Sequence, residues 1–199
     1  MLKIQHLTKQ FGAVPLFTDL CMEVDAPAVL WAPSGWGKTT LLRILMGLER
    51  PTTGSVEGVG RVAAVFQEDR LCPQLNAVQN VTLVLPGAEN QYKEQITSDF
   101  QQLGMDTAAL QLPARRLSGG QKRRVALLRA LWAPSDTLLL DEPFAERTAA
   151  DDRSAVVVLQ RSGENFARRG ASLVDQHHDL HVLRRAFAVG VFAQLLVTA

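Results

Sequence analysis

The 199-residue sequence has few cysteines, few aromatic residues and almost no net charge. Its two cysteines, Cys21 and Cys72, stand in no spacing typical of a metal cage or a redox pair, so we predict neither and expect packed thiols in a reducing compartment. The 21 basic and 20 acidic side chains nearly cancel, which argues against a broad affinity for nucleic acid. These absences exclude a disulfide scaffold and disfavour a nucleic-acid partner.

Long hydrophobic runs are also missing. The amino terminus mixes charged with apolar residues, unlike a secretory signal, so we expect no export. The most apolar segment, 186–199, is shorter than the roughly 20 residues that a membrane-spanning helix needs. If the protein works at a membrane, another chain must cross it. The hydrophobic fraction of 47% suits one globular domain instead.

Short apolar runs alternate with helical patterns along the chain. Strands are expected over LKIQHL, PLFTDLCMEV and AVLWA, in a short pair opened by residues 52–54, and at 62–66, 137–140 and 171–174. Helices are expected from Lys38 through Leu48, in glutamine-rich segments between Val78 and Gly120, and over 127–133. Strands that alternate with helices predict an α/β fold with a mostly parallel sheet.

A glycine-rich segment lies between the third predicted strand and the first predicted helix. It reads Ala32-Pro33-Ser34-Gly35-Trp36-Gly37-Lys38-Thr39 and is followed by Thr40. A loop in this setting directs backbone N–H groups at anionic oxygens, as phosphate loops do. The segment therefore predicts a site for a nucleotide triphosphate.

Individual residues of this loop have separate expected tasks. Gly35 and Gly37 allow the backbone to curl tightly, Lys38 can reach the β and γ phosphates, and the Thr39 hydroxyl can hold Mg²⁺. Ala32 stands where glycine is usual. We expect its methyl group to be tolerated provided that its φ angle is negative.

Two acidic residues end the buried strand predicted at 137–140. Asp141 would then lie at the carboxyl edge of the sheet, where α/β proteins collect ligands, and could order Mg²⁺ through water. Glu142 is suited to orient or deprotonate a water molecule aimed at the γ phosphate. The alternative is that these carboxylates cap the next helix.

A second glycine-bearing segment precedes the helical run KRRVALLRALW. Leu117-Ser118-Gly119-Gly120-Gln121 would place backbone amides and a hydroxyl at a helix amino terminus, where anions bind. One nucleotide in a small domain rarely needs two such sites, which suggests that the second contacts the nucleotide of a neighbouring copy. A simple loop and helix cap is the alternative.

These motifs, in this order, resemble the ATP-binding cassette family across nearly the whole chain. The resemblance implies a P-loop NTPase core with a mostly parallel sheet, a small amino-terminal antiparallel subdomain and an inserted helical subdomain. Residues 1–66 and 127–199 would form the nucleotide-binding core, and 67–126 the helical subdomain with the signature motif. Two copies of such cassettes pack head to tail around ATP and Mg²⁺.

The resemblance also implies roles for single residues. Phe11 would stack on adenine, residues 32–40 would be the Walker A loop, Leu117 to Gln121 the signature, and Asp141 with Glu142 the Walker B pair. Gln67 would be the Q-loop glutamine, which binds Mg²⁺ or senses the attacking water and hinges the helical subdomain against the core; a surface loop amide is the alternative. His178 would be the switch histidine, chosen over His177 because Asp179 follows it; a solvent-exposed histidine is the alternative. Glu142, His178 and Gln67 would thus be the catalytic residues.

One position departs from the family pattern. The loop after Asp-Glu-Pro usually ends in aspartate, whereas Thr148 stands there in this chain, and Asp151 and Asp152 follow. Signalling across the dimer is expected to be altered. The basic group around the signature, Arg115, Arg116, Lys122, Arg123 and Arg124, is interpreted as a solvated helix face.

The segment from Phe66 to Asn76 resembles bacterial importers of the nitrate, sulfonate and taurine group. We therefore expect the ATPase motor of a transporter, held at the cytoplasmic face of the membrane by permease subunits and served indirectly by a solute-binding protein. Leu71, Pro73 and Leu75 would either receive a permease loop or belong to the helical core. A nucleotide-gated dimerising module without turnover is the main alternative, and a small P-loop kinase is another.

Overall fold

A computed structural model describes residues 1–25, 28–141, 153–160 and 193–196. These residues form two β-sheets and a set of helices, as an α/β chain should. No helix among them is long and apolar enough to cross a bilayer. The expected strand at 171–174 lies outside the described ranges.

The amino-terminal sheet has three antiparallel strands. β1 (Leu2–Phe11) lies between β2 (Val14–Val24) and β4 (Thr53–Glu57), and β1 changes register against both neighbours. Alternating apolar side chains cover one face and belong to the core cluster: Leu2, Ile4, Leu7, Phe17 and Leu20. The predicted strand after residue 52 is present as β4. Its predicted partner is wrong, because β4 pairs with β1 and not with the strand that follows it.

The central sheet has five strands, in the order β5-β6-β7-β3-β8. The strands are β3 (Ala28–Pro33), β5 (Val62–Val65), β6 (Thr137–Asp141), β7 (Arg153–Gln160) and β8 (Ala193–Leu196). Only β7 runs against its neighbours, while β3 pairs in parallel with β8 and β5 with β6. The mostly parallel sheet is thus confirmed for the described strands. The sequence pattern predicts no strand at β7 or β8.

The first helix, α1 (Lys38–Leu45), packs between the two sheets. Leu41, Leu42, Ile44 and Leu45 join the core with Leu139 of β6. The helix ends before Leu48, contrary to the prediction, because Gly47 takes a left-handed conformation and its N–H bonds the Ile44 carbonyl at 2.9 Å. Leu48 is left 67% exposed.

The helical region follows β5. It contains α2 (Ala77–Thr82), α3 (Lys93–Gln102), α4 (Thr107–Gln111), α5 (Gly119–Trp132) and 3₁₀ turns at Glu89–Gln91 and Ala114–Arg116. Helices α2 to α5 share one core around Phe100. At this core the Trp132 indole N–H donates a hydrogen bond of 2.9 Å to Asp99 Oδ2. The helical character predicted between Val78 and Gly120 is confirmed.

Helix α5 connects the helical region to the central sheet. Val125 and Leu128 lie in the helical core, whereas Ala126, Ala130 and Leu131 pack against β5 and β6. Because this one continuous helix packs on both the sheet and the helical core, it fixes where Ser118, at its amino terminus, lies relative to the sheet.

Candidate functional site

The glycine-rich loop connects β3 to α1, as the sequence predicts. Ala32 and Pro33 end β3, and Gly37 precedes α1 with a φ angle of 103°. Ala32 belongs to the extended strand and is not among the residues with positive φ. Its methyl group is therefore accommodated, as expected for a negative φ angle.

Both loop glycines adopt conformations that other residues avoid. Gly35 has φ 80° and Gly37 has φ 103°. A Cβ atom at Gly37 would also lie 2.6 Å from the side chain of Leu16, so the loop packs closely on β2. Trp36 is fixed from the same side, since its ring stacks on Phe17 with centroids 5.5 Å apart.

The Lys38 side chain lies inside this loop. It is only 6% exposed, and its ammonium group donates to the carbonyls of Ala32 at 2.8 Å and Pro33 at 2.6 Å. A buried ammonium group needs such partners, because desolvation is costly. The remaining predicted loop residues, Ser34 and Thr40, are exposed and half-buried respectively.

Thr39 and Asp141 meet although 102 positions separate them in the chain. The Thr39 hydroxyl donates to Asp141 Oδ2 at 3.1 Å, and Asp141 ends β6 with 4% of its surface exposed. β3 and β6 run in the same direction on either side of β7, so their carboxyl ends share one edge of the sheet. Two hard oxygen donors thus adjoin the phosphate loop, which fits a divalent cation such as Mg²⁺.

Gln67 follows β5 at the same edge. β5 pairs in parallel with β6, with Val65 opposite Leu140, so Gln67 emerges beside the end of β6. Its side chain is exposed. The structure therefore brings the third predicted Mg²⁺ ligand to the same edge as Thr39 and Asp141.

Arg123 of α5 joins the ends of these two strands. Its guanidinium group donates to the carbonyl of Phe66 and, at 3.4 Å, to the carbonyl of Asp141, and lies 3.6 Å from Asp69 Oδ1. Its side chain is 28% exposed. The interpretation of this basic group as a solvated face is therefore wrong for Arg123, because sequence does not reveal which arginine faces the sheet.

Arg129, which lies six residues after Arg123 on α5, contacts the loop that follows Gln67. It donates to the carbonyls of Asp69 at 3.0 Å and Arg70 at 2.9 Å. Burial lowers the pKa of Arg129 below its ordinary value, while Cys72 and Asp69 act in the opposite direction. Arg70 in turn lies 4.1 Å above the ring of Phe66. Two arginines thus fasten α5 to the loop of Gln67.

We expect Arg123→Gln to lower the free energy of unfolding by about 1–3 kcal/mol, because glutamine cannot serve both carbonyls. Urea denaturation measures the change. Arg124→Gln is the matched control: it removes the same charge from an exposed neighbouring position and should alter stability by less than about 0.5 kcal/mol. Equal losses in the two variants would contradict this assignment.

The second glycine-bearing segment starts α5. Ser118 caps the helix, since its Oγ accepts the Gln121 backbone N–H at 3.3 Å and its own N–H donates to Gln121 Oε1 at 2.9 Å. Leu117 anchors the segment in the helical core. Gly119 and Gly120 are exposed, and a Cβ atom at either would meet nothing within 4 Å. This helix terminus is therefore open to a ligand.

Phe11 ends β1 with 55% of its surface exposed. The ammonium group of Lys9 lies 4.7 Å from its ring centroid and is itself held by Glu49 Oε1 at 2.7 Å. This contact with Lys9 lowers the pKa of Glu49. The described contacts leave much of the aromatic ring accessible for stacking, and the adenine contact stays a prediction.

Several predicted residues lie outside the described ranges. They are Glu142, Thr148, Asp151, Asp152, His177, His178 and Asp179. Among Leu71, Pro73 and Leu75, only Pro73 is exposed, while Leu71 packs against the helical core. The expectation of packed thiols is wrong, since Cys21 and Cys72 are both exposed.

The sequence is similar to proteins of a known family. The ABC transporter family matches residues 18–145. The aliphatic sulfonates import ATP-binding protein SsuB 1 of Nocardia farcinica is 37% identical over 179 residues, which cover 89% of this chain and 71% of that protein. The Fe(3+) ions import ATP-binding protein FbpC 1 of Rhizobium meliloti is 37% identical over 161 residues, or 73% of this chain and 45% of its own length.

The fold is also found among solved structures. The dimeric structure of MJ0796, a bacterial ABC transporter cassette, aligns with a TM-score of 0.63 at 25% identity. The alignment covers 72% of this chain and 74% of that one. The sheets and helices described above thus match the architecture of a cassette.

Proposed function

Since this chain belongs to the ABC transporter family, we propose that it is the ATP-binding and ATP-hydrolysing motor subunit of an ABC transporter of the import type. The observation that carries the proposal is the hydrogen bond of 3.1 Å between Thr39 of the phosphate loop and Asp141 at the end of β6. It joins a phosphate-binding loop to a carboxylate at one edge of the sheet. Nucleotide hydrolysis needs this combination of groups.

The residues present fit ATP with Mg²⁺. The loop supplies backbone N–H groups and the Lys38 ammonium group for the phosphates. Gly35, Trp36 and Gly37 would let the backbone approach the phosphate oxygens closely. Thr39 and Asp141 supply oxygen donors for the metal, and Gln67 lies at the same edge. When bound, Mg²⁺ neutralises charge on the phosphate oxygens.

Catalysis then depends on groups of this chain that position water. Glu142 follows Asp141 directly, so a role as the base that orients the attacking water agrees with its place after β6. His178 would contact the γ phosphate while Glu142 orients the water. The Lys38 ammonium group, which donates to the carbonyls of Ala32 and Pro33, would also donate to a phosphate oxygen.

The functional unit is a head-to-tail pair of copies. Ser118, Gly119 and Gly120 are exposed and, with the half-buried Gln121, form a helix terminus whose described side-chain bonds are internal to the cap. In the pair, this terminus contacts the ATP held by the other copy. The dimeric structure of a similar cassette supports the association of two copies.

The membrane partners are permease subunits, as the import proteins similar to this chain suggest. Residues 1–66 and 127–199 serve as the nucleotide core, and 67–126 as the helical subdomain that meets the permease. Pro73, exposed in the loop after Gln67, would take part in that contact. The motor thus works at the cytoplasmic membrane face, and a solute-binding protein delivers cargo to the permease.

The test uses Glu142→Gln, which should keep ATP affinity but accumulate closed dimers, because the amide cannot accept a proton from water. Size-exclusion chromatography with ATP measures the dimer fraction. Adding Gly120→Asp should return the protein to monomers, since the carboxylate repels the γ phosphate. Gly120→Asn is the matched control, because it adds a side chain of the same size without the charge, and a Cβ atom at this position meets nothing within 4 Å in the single chain. Normal hydrolysis by Glu142→Gln would remove Glu142 from its role.

The alternative function is a nucleotide-gated module that dimerises without turnover. Thr148, where the family pattern has aspartate, is the observation in its favour. Purified wild-type protein with ATP and Mg²⁺ separates the two proposals. Steady release of phosphate supports the motor, whereas ATP-dependent dimers without release support the module.

A further inference from the structure

A cluster of three potential metal ligands lies on the amino-terminal sheet, away from the residues assigned to the nucleotide. It contains His6 of β1 with Asp19 and Cys21 of β2, and their ligand atoms all lie within 4.8 Å of one another. All three residues are exposed. We propose that these residues form a binding site for Zn²⁺ or a similar borderline-soft divalent ion.

The distances within the cluster are close to those of a tetrahedral zinc site. His6 Nδ1 lies 2.7 Å from Asp19 Oδ1 and 3.7 Å from Cys21 Sγ. With Zn–N and Zn–O bonds of about 2.0 Å and a Zn–S bond of about 2.3 Å, the corresponding separations are about 3.3 and 3.5 Å. To admit the ion, the His6–Asp19 separation must widen by about 0.6 Å and the His6–Cys21 separation must shorten by about 0.2 Å. The Asp19–Cys21 separation, which is within 4.8 Å, must come to about 3.5 Å. Rotation of the three exposed side chains can supply these changes.

The backbone already holds the ligands in place. His6 and Asp19 have φ angles of 49° and 52°, at the point where the register of β1 against β2 shifts. The Asp19 N–H donates to Thr8 Oγ1 at 3.0 Å, and the His6 N–H donates to Cys21 Sγ at 3.2 Å. The first of these bonds fixes the backbone at Asp19, and the second is made to the Cys21 sulfur itself; bonds to a ligand atom orient it in metal sites.

The chemistry of the three ligands points to zinc. A thiolate with an imidazole and a carboxylate suits Zn²⁺, whereas Mg²⁺ prefers oxygen alone. Three protein ligands leave one coordination position for water. The spacing of Cys21 and Cys72 predicts no metal cage, because the ligands of this site come together only when the two strands pair.

A bound ion would connect β1 to β2 in addition to their backbone ladder. Any ligand that binds only the folded state stabilises it. We therefore expect the midpoint of thermal unfolding to rise when Zn²⁺ is added to the wild-type protein. The same addition should not raise the midpoint of Cys21→Ser.

Co²⁺ titration of the tag-free chain, without nucleotide, tests the site directly. Thiolate-bound Co²⁺ absorbs in the near ultraviolet, and only Cys21 and Cys72 can supply a thiolate. One equivalent should produce this band in the wild-type protein, excess Zn²⁺ should remove it, and Asp19→Asn should require about tenfold more Co²⁺.

Matched cysteine variants decide the assignment. Cys21→Ser should lose the band, whereas Cys72→Ser, which changes the other exposed cysteine, should retain it. His6→Ala should also lose it. The proposal is overturned if the wild-type protein shows no thiolate band, or if Cys72→Ser loses the band and Cys21→Ser keeps it. Circular dichroism of each variant verifies that the fold is intact.

Discussion

Replacing Lys38 by methionine is expected to weaken ATP binding at least about a hundredfold, because the ammonium group provides charge-assisted bonds to two phosphates. Methionine preserves an unbranched apolar stem in a position that is 6% exposed. The loss therefore reports mainly on charge. Lys38→Ala, which also removes the stem, should abolish measurable binding. Isothermal titration with ATP measures both variants.

Two controls accompany this experiment, one for loop stability and one for net charge. Lys38 also bonds the carbonyls of Ala32 and Pro33, so thermal unfolding of Lys38→Met without nucleotide measures how far the substitution loosens the loop. Lys93→Met removes the same charge from an exposed position on α3 and should leave ATP affinity unchanged. Wild-type affinity in Lys38→Met would refute the assignment of this loop.

Asp141→Asn should reduce the rate of ATP hydrolysis about a hundredfold or more while nucleotide affinity without Mg²⁺ stays close to wild type. The amide oxygen can still accept the bond from Thr39, so the local packing is conserved. The negative charge that attracts the cation is lost. Phosphate release at increasing Mg²⁺ concentrations, with ATP binding measured in chelator, distinguishes the two effects.

Thr39→Val provides a second view of the same pair. Valine is close to threonine in shape but removes the hydroxyl group that donates to Asp141. It should also reduce hydrolysis and raise the Mg²⁺ concentration required. If Asp141→Asn hydrolysed ATP at the wild-type rate, the pair would not be the metal site.

Much of the nucleotide site could be predicted because its motifs are local. The loop before Lys38 combines glycines with a strand on one side and a helix on the other, and these signals lie within a few residues. Asp141 could be placed near the loop because parallel strands deliver their carboxyl ends to one edge of the sheet. The hydrogen bond between Thr39 and Asp141 agrees with that reasoning.

Other features depend on contacts between distant parts of the chain. Arg123 bonds the carbonyl of Phe66, 57 positions away, and nothing in the local pattern separates it from the exposed Arg124. Likewise, His6 and Cys21 meet only through a register shift between β1 and β2. Hydrophobic periodicity describes which face is buried but not which polar atoms meet.

The stacking of Trp36 on Phe17 has a practical consequence. An indole ring is held in the loop to which we assign the triphosphate, half-buried and in contact with the amino-terminal sheet. A bound nucleotide is therefore expected to change the emission of this ring. Trp36 is one of three tryptophans in the sequence, so a variant that keeps it alone would carry an optical reporter of site occupancy, and no dye would need to be attached to follow loading in real time.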